Sequence, residues 1–232
     1  MKIYEDEVLE DLFFSNFKII QKKKGMRFGI DAILLSHFCD AKMGSVGVDL
    51  CTGSGIIPIL VTKKNIAHIT GVEIQKSYAD MARRSIEICG LSDKIDITEG
   101  DIKNFPPKDK LNCFDFVTVN PPYKEAGGGL VSPNEEIAAA KFEILCTLDD
   151  VLAAANRSLR SKGKIYLVHR VERLCDIMCK MRSHALEPKR IVFVKDKECN
   201  APILLLVEGQ KGGGKKLVCE KTIIISDGNY KV

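Results

Sequence analysis

No apolar run in the chain approaches the roughly 18 residues needed to cross a bilayer. The first twelve residues, MKIYEDEVLEDL, are acidic and lack the apolar stretch of a secretory signal. Among nine cysteines (Cys39, Cys51, Cys89, Cys113, Cys146, Cys175, Cys179, Cys199 and Cys219) there is no Cys-x-x-Cys pair; only Cys175 and Cys179 share a helix face by spacing. An odd, scattered set argues against a disulfide framework or a thiolate metal site and reads as reduced core thiols of a cytoplasmic protein. His37, His68, His169 and His184 stand apart from one another and from any carboxylate at zinc-ligand spacing, so no metal is expected. The absence of Gly-x-Ser-x-Gly and of a Cys-His or Ser-His pairing leaves covalent hydrolysis without support. There is no internal repeat and no second domain boundary. At 232 residues the chain suits one α/β domain with a full core, divided into an N-terminal extension (1–40), a core (41–209) and a basic tail (210–232).

Charge is present but uneven. Residues 1–150 carry 18 Lys/Arg against 23 Asp/Glu, while residues 151–232 carry 17 against 8. A basic second half suits a polyanion such as RNA, or is simply a solvated basic surface. The candidate phosphate contacts are Lys22, Lys23 and Lys24 in a basic turn before Gly25, and Lys211, Lys215 and Lys216 in the glycine-rich stretch after Gly209. The first group reads equally well as a solvated hairpin tip, and the second as a flexible basic loop. Between Met26 and Leu35, Asp31 caps a predicted helix running to about Cys39. Arg27 and Asp31 are more polar than a plain helix start requires and are candidates for a pocket wall.

Three strands then end in the same way. Val46–Leu50 leads through Asp49 into Cys51-Thr52-Gly53-Ser54-Gly55 and an apolar helix from about Ile56 to Lys63. Glycines in such a turn let a ligand approach the backbone. The spacing is neither the dinucleotide Gly-x-Gly-x-x-Gly nor a phosphate-binding loop, since no Gly-Lys-Ser/Thr follows. Ile69–Glu73 ends in a carboxylate 24 residues after Asp49, where a ribose diol would be accepted. Ile95–Glu99 runs into Gly100-Asp101-Ile102; Asp101 is placed to receive an adenine amino group, with Ile74 and Ile102 sandwiching the ring. A single strand-end carboxylate is usually a cap. Three in succession, beside small residues, point to a nucleoside-bearing cofactor.

The fourth strand, Phe114–Val119, stops in Asn120-Pro121-Pro122-Tyr123. Two prolines fix φ and donate nothing, so the chain must leave the sheet in a rigid turn. The Asn120 side-chain oxygen and a proline carbonyl are two acceptors for an -NH2 group, and the Tyr123 ring offers a face for a planar substrate. An ordinary turn is the plainer reading; the glycine turn some seventy residues earlier favours a site. Further on, Gly127–Gly129 reads as a loop beside that site and 134–159 as one long helix. Lys164–Val168 is a strand and Val171–His184 a helix. Arg190–Lys195 and Ile203–Glu208 form an antiparallel pair at the sheet edge, and Thr222–Ser226 is a last extended segment.

Taken together, these residues resemble the class I S-adenosylmethionine-dependent methyltransferases. The resemblance implies a Rossmann-like α/β fold: a seven-stranded, mostly parallel sheet with one antiparallel strand and helices on both faces. It implies that Asp49, Thr52, Gly53 and Gly55 hold the methionine part of S-adenosyl-L-methionine, Glu73 the ribose and Asp101 the adenine amino group. Ile74, Ile102 and Asn120 complete the cofactor contacts. Asn120-Pro121-Pro122-Tyr123 is similar to the motif of members that methylate exocyclic amines or amides, which makes these four residues the candidate catalytic set.

A closer resemblance spans nearly the whole chain, to the bacterial tRNA1(Val) adenine(37)-N6-methyltransferase family. It is carried by Asp11-Leu12, Lys18–Gln21, Phe28–Leu35, Asp49–Gly55, Asn120–Tyr123, Ala140–Glu143, Pro188–Arg190 and Val207–Gly213. It implies a tRNA partner whose target adenine is unpaired or flipped into the pocket. Oligomeric state stays open, with a monomer favoured. Other readings are a protein glutamine N5-methyltransferase, a methyltransferase for adenine in another RNA or in DNA, a nicotinamide oxidoreductase and a non-catalytic RNA-binding module. The glycine spacing speaks against the oxidoreductase, and the intact acidic residues speak against the module.

Overall fold

A computed structural model describes the chain over residues 2–12, 16–121 and 146–225. Pro122, Tyr123, the 127–129 glycines and the 134–145 part of the expected long helix lie outside these residues. In chain order the strands are β1 (Glu7–Leu12), β2 (Phe17–Lys22), β3 (Val46–Leu50), β4 (His68–Glu73), β5 (Ile95–Glu99) and β6 (Phe114–Val119). They continue as β7 (Leu159–Arg170), β8 (Leu186–Asp196), β9 (Leu204–Lys211), β10 (Val218–Cys219) and β11 (Ile223–Ile225). The helices are α1 (Ile30–Phe38), α2 (Ile56–Val61), α3 (Lys76–Ile88), α4 (Leu148–Ser158) and α5 (Leu174–Ser183).

The main sheet runs β5-β4-β3-β6-β7-β9-β8. Every pairing among β3 to β7 is parallel; β9 alone runs against both its neighbours. This is the expected seven-strand arrangement. Two short parallel strands, β10 and β11, extend it beyond β8 and make nine among the described residues. The β8–β9 pair is antiparallel as expected, but β9 lies inside the sheet rather than at its edge.

Side-chain alternation in the inner strands divides the core in two. Tyr166, Val168, Leu204 and Leu206 join the cluster under α1 and α2, while Ile165, Leu167, Leu205 and Val207 join the cluster under α4 and α5. At Gly47 on β3 a Cβ would stand 2.2 Å from the Phe116 ring, so only glycine lets β6 keep that phenylalanine.

Three expectations need correction. The single helix over 134–159 does not exist, because α4 has its own N-terminus. Thr147 Oγ1 accepts a hydrogen bond from Asp150 N at 3.2 Å, and Asp150 Oδ2 accepts one from Thr147 N at 2.9 Å, a capping box that apolar periodicity cannot reveal. Core thiols are the minority: Cys39 and Cys146 are buried, Cys51 and Cys89 half-buried, and Cys113, Cys175, Cys179, Cys199 and Cys219 exposed. Lys22–Lys24 are not a hairpin tip, since they leave the far end of β2, where Lys22 pairs with Asp6 at 2.5 Å and Lys23 Nζ donates to the Glu5 carbonyl.

The β1–β2 hairpin forms its own two-stranded sheet and packs on α3. Ile20 fills a small cluster with Tyr78 and Met81, its N–H donates to Ser85 Oγ at 3.0 Å, and Arg84 grips the buried Glu7 carboxylate with two 2.7 Å bonds. Among the described residues, no helix is long and apolar enough to cross a membrane.

Candidate active site

β3 and β6 are neighbours, yet the chain reaches β4 on one side of β3 before it arrives at β6 on the other. Strand order reverses between them, and in open α/β sheets such a switch point opens a crevice at the carboxyl ends of the strands. Leu50 pairs with Val119 in register, so Cys51–Gly55 and Asn120-Pro121 leave adjacent strands side by side.

The glycine turn is held by hydrogen bonds from three directions. Thr52 N donates to the Val72 carbonyl, Gly55 N to the Thr52 carbonyl, both at 3.0 Å, and Gly53 N to Glu73 Oε2 at 2.8 Å. Gly53 and Gly55 sit at φ +55° and +85°, the left-handed region that glycine enters without cost. At Gly55 a Cβ would also stand 3.1 Å from Ala82 Cβ, so α2 begins tight against α3. Gly71 clears the space that Thr52 occupies, since a Cβ there would lie 2.9 Å from both Thr52 Cγ2 and Oγ1.

Asp49 is fully buried and accepts a 2.6 Å hydrogen bond from Thr118 Oγ1 across the β3–β6 pair. Its Oδ2 and the Thr52 hydroxyl are buried and find no partner of good hydrogen-bond geometry among the described residues. Burial lifts the Asp49 carboxyl to about 7; the Thr118 hydroxyl, and after it the Thr52 hydroxyl, opposes the rise and the neighbouring Glu73 carboxylate adds to it. Glu73, also raised by burial, spends one oxygen on Gly53 N and the other on Gln75 N.

A raised carboxyl binds its proton more tightly folded than unfolded, so its contribution to stability falls as pH climbs from about 4 to about 7. Buried His169, held down to about 4, acts in the opposite sense below its unfolded value near 6.5. The Asp49 share is therefore read by difference. Between pH 5 and 7.5, thermal melts of the ligand-free protein should show a stability loss relative to Asp49→Asn. Parallel curves for the two proteins would rule the shift out.

A cleft of about 850 Å³ opens at this end of the sheet, within the size range of ligand pockets. It joins Thr52 and Gly53 to Asn120 and Pro121, with Arg27 and Asp31 on a third side. Glu73, Ile74, Asp101 and Ile102 continue the same row of strand ends but do not line this cleft. Ile74 is exposed, and Ile102 is buried in the α4 core cluster. Asp101 Oδ1 accepts a 2.9 Å bond from Lys103 N, and Arg157 fixes that segment by donating to the carbonyls of Ile102, Lys103 and Phe105. Asp31 Oδ1 accepts from Ala32 N, the next residue, and Gly29 is the helix N-cap.

The basic candidates separate. Lys24, Lys215 and Lys216 are exposed. Lys211 is the last residue of β9 rather than part of a loop. Its ammonium donates to Asn112 Oδ1, the Asn156 carbonyl and the Leu159 carbonyl at 2.6–2.8 Å, so its three protons are engaged inside the fold.

Sequence reasoning missed three parts of the wall: Met26 with Tyr78, Arg170–Glu172 at the end of β7, and Pro202-Ile203 before β9. The signal for the last two was available. Residues at the end of a parallel strand, or at the start of an antiparallel one, belong to the same edge, and Arg170 pairs with Leu204 there.

The family model of the methyltransferase small domain matches residues 28–182. A tRNA1(Val) (adenine(37)-N6)-methyltransferase of Porphyromonas gingivalis is 27% identical over 206 residues, covering 85% of this chain and 80% of its own. One of the same name from Histophilus somni is 28% identical over 178 residues, covering 73% and 74%. Among solved structures, a predicted O-methyltransferase from Agrobacterium tumefaciens superposes with a TM-score of 0.65 at 21% identity, covering 86% of this chain and 90% of that one. A precorrin-6y C5,15-methyltransferase from Geobacter metallireducens does so at 0.55 and 16%, covering 83% and 93%; such distant likenesses speak for the fold. A glycine turn open to a cleft, beside oxygens of Asp49 and Thr52 that are buried without a well-formed partner among the described residues, suits a methyl donor such as S-adenosylmethionine. With two thirds of its length matched, the chain belongs to the methyltransferase small domain family, and S-adenosylmethionine is its cofactor.

Proposed function

We propose that the protein methylates the exocyclic N6 amino group of an adenine in tRNA, at position 37 of a valine tRNA. One observation carries the reading: Asn120 and Pro121 line the same cleft as Thr52 and Gly53, so an amine held by the first pair faces a donor held by the second. The names of the P. gingivalis and H. somni relatives supply the substrate class.

Bound at the glycine turn, the donor supplies an electrophilic methyl group on a sulfonium. Adenine's amino nitrogen is a poor nucleophile because its lone pair is delocalised into the ring. The Asn120 side-chain oxygen and the Pro121 carbonyl accept its two N–H groups and favour a pyramidal nitrogen with the lone pair turned toward the methyl. As the N–C bond would form and the sulfonium C–S bond break, its electron pair leaving on a neutral thioether, positive charge would gather on nitrogen beside those two acceptors, and the proton would leave to water after transfer. The work is positioning and electrostatics. Tyr123 stacks on the flipped base, and exposed lysines such as Lys24, Lys215 and Lys216 hold the RNA backbone, giving salt-sensitive binding.

The test is methyl transfer to two valine-tRNA transcripts, one with adenine at position 37 and one with guanine. Incorporation into the first alone is expected. Equal incorporation into both would move the target elsewhere in the RNA. Labelling of a protein glutamine instead of either transcript would favour the amide reading.

A further inference from the structure

We propose that Tyr78 is a positioning residue for the methyl donor: its buried hydroxyl fixes Met26–Phe28 as the wall of the cleft that faces the glycine turn. The inference rests on the cofactor assignment and not on the identity of the RNA.

Tyr78 stands near the start of α3, 1% exposed, and belongs to the cleft lining. Met26 N donates to its hydroxyl at 3.0 Å, and the hydroxyl donates back to the Met26 carbonyl at 3.4 Å. One oxygen thus holds both backbone groups of a single residue, in a segment that has neither helix nor strand to satisfy them. Gly25 is what permits the approach. A Cβ there would lie 3.1 Å from the tyrosine hydroxyl and 2.9 Å from Lys22 Cβ.

The wall so fixed reaches the donor site. Met26 Cε lies 3.5 Å from where a Cβ on Gly53 would stand, so the thioether covers the glycine turn. Its other end hangs from the hairpin: Phe28 N donates to Gln21 Oε1 at 3.0 Å, and both Gln21 Nε2 and Arg27 donate to the Glu10 carboxylate. The helix that carries Tyr78 has Gln75 as its N-cap, and the N–H of Gln75 is held by Glu73. Tyr78 therefore ties the wall over one end of the cleft to the carboxylate that anchors the turn beneath it.

The same helix offers a control. Ser85 is fully buried and accepts Ile20 N, which secures the hairpin without touching the cleft. Calorimetry with S-adenosylhomocysteine, together with donor KM and kcat, should be run on the wild type, Tyr78→Phe, Gly25→Ala and Ser85→Ala. Tyr78→Phe is expected to weaken binding and raise donor KM roughly tenfold, the size of one lost hydrogen bond, with kcat at saturating donor within about twofold. Gly25→Ala should move both quantities the same way. Ser85→Ala should lower the melting temperature and leave affinity unchanged.

Unchanged affinity in Tyr78→Phe would overturn the role. So would an equal loss in Ser85→Ala, which would reduce the effect to general destabilisation. A substrate other than tRNA would leave the calorimetric result standing. Failure of the wild type to bind S-adenosylhomocysteine would remove the donor assignment and this role together.

Discussion

Asn120→Ala should lower kcat by about 10²–10³ while leaving affinity for the donor within about threefold. The asymmetry follows from placement. Asn120 leaves β6 at the switch point, beside the Glu73-anchored glycine turn that leaves the neighbouring β3, and both line the cleft. In the proposed reaction its amide oxygen is one of two acceptors for the amine, and an acceptor for developing positive charge is worth more in the transition state than in the ground state. Pro121 keeps its carbonyl in the variant, so some positioning survives and the loss should fall short of complete. Rapid-quench measurement at saturating donor separates the chemical step from binding. A variant with near-wild-type turnover would remove Asn120 from the chemistry, and a variant that fails to bind donor would make it a cofactor residue instead.

Glu73→Ala should have the second largest effect, and on binding rather than on chemistry. Glu73 is 5% exposed and accepts Gly53 N and Gln75 N, so the carboxylate joins the donor turn to the start of α3. Its removal leaves two donors to find water or go unpaired, at about 1–3 kcal/mol for each that stays buried. It also removes the proposed acceptor for a ribose diol. We expect donor affinity to fall by about 10²-fold or more and the melting temperature to drop. Glu73→Gln, which keeps one oxygen, should recover part of both. Equilibrium titration of the two variants decides it: wild-type affinity in Glu73→Ala would show that the turn holds its shape alone.

The parallel part of the sheet was legible because buried strands in α/β proteins are continuous apolar runs bounded by glycine and acidic residues. Val46–Leu50, Ile69–Glu73 and Phe114–Val119 each stand out in this way. The direction of β9 was legible from the short connection around Ala201-Pro202, which allows only an antiparallel return. Its place inside the sheet was not, because strand order depends on pairing across distant sequence. The start of α4 was hidden because the helical spacing of apolar residues runs on past the Thr147 cap. Lys211 looked like part of a basic tail, since a count of charges cannot reveal that three carbonyl-type acceptors wait for one ammonium.

At the site, the glycine turn and the strand-end Asn120-Pro121, which line one cleft, were legible because their chemistry is local, whereas the strand-end carboxylates Glu73 and Asp101 do not line it. The wall made by Met26, Arg27 and Phe28 was only half visible, through the polarity of Arg27 and Asp31. What fixes that wall is a tyrosine 52 residues further along the chain, and no spacing rule connects the two. Arg170–Glu172 and Pro202-Ile203 were reachable by topology alone, as ends of strands whose directions had already been read.

The most direct test is nucleoside analysis. Unmodified bacterial tRNA is incubated with the protein and labelled S-adenosylmethionine, digested completely, and the labelled nucleoside identified. An acceptor pair built to grip an exocyclic amine predicts a single product, N6-methyladenosine. Label in 1-methyladenosine or on a ribose, or tRNA that stays unlabelled while a protein takes up the methyl group, would contradict it.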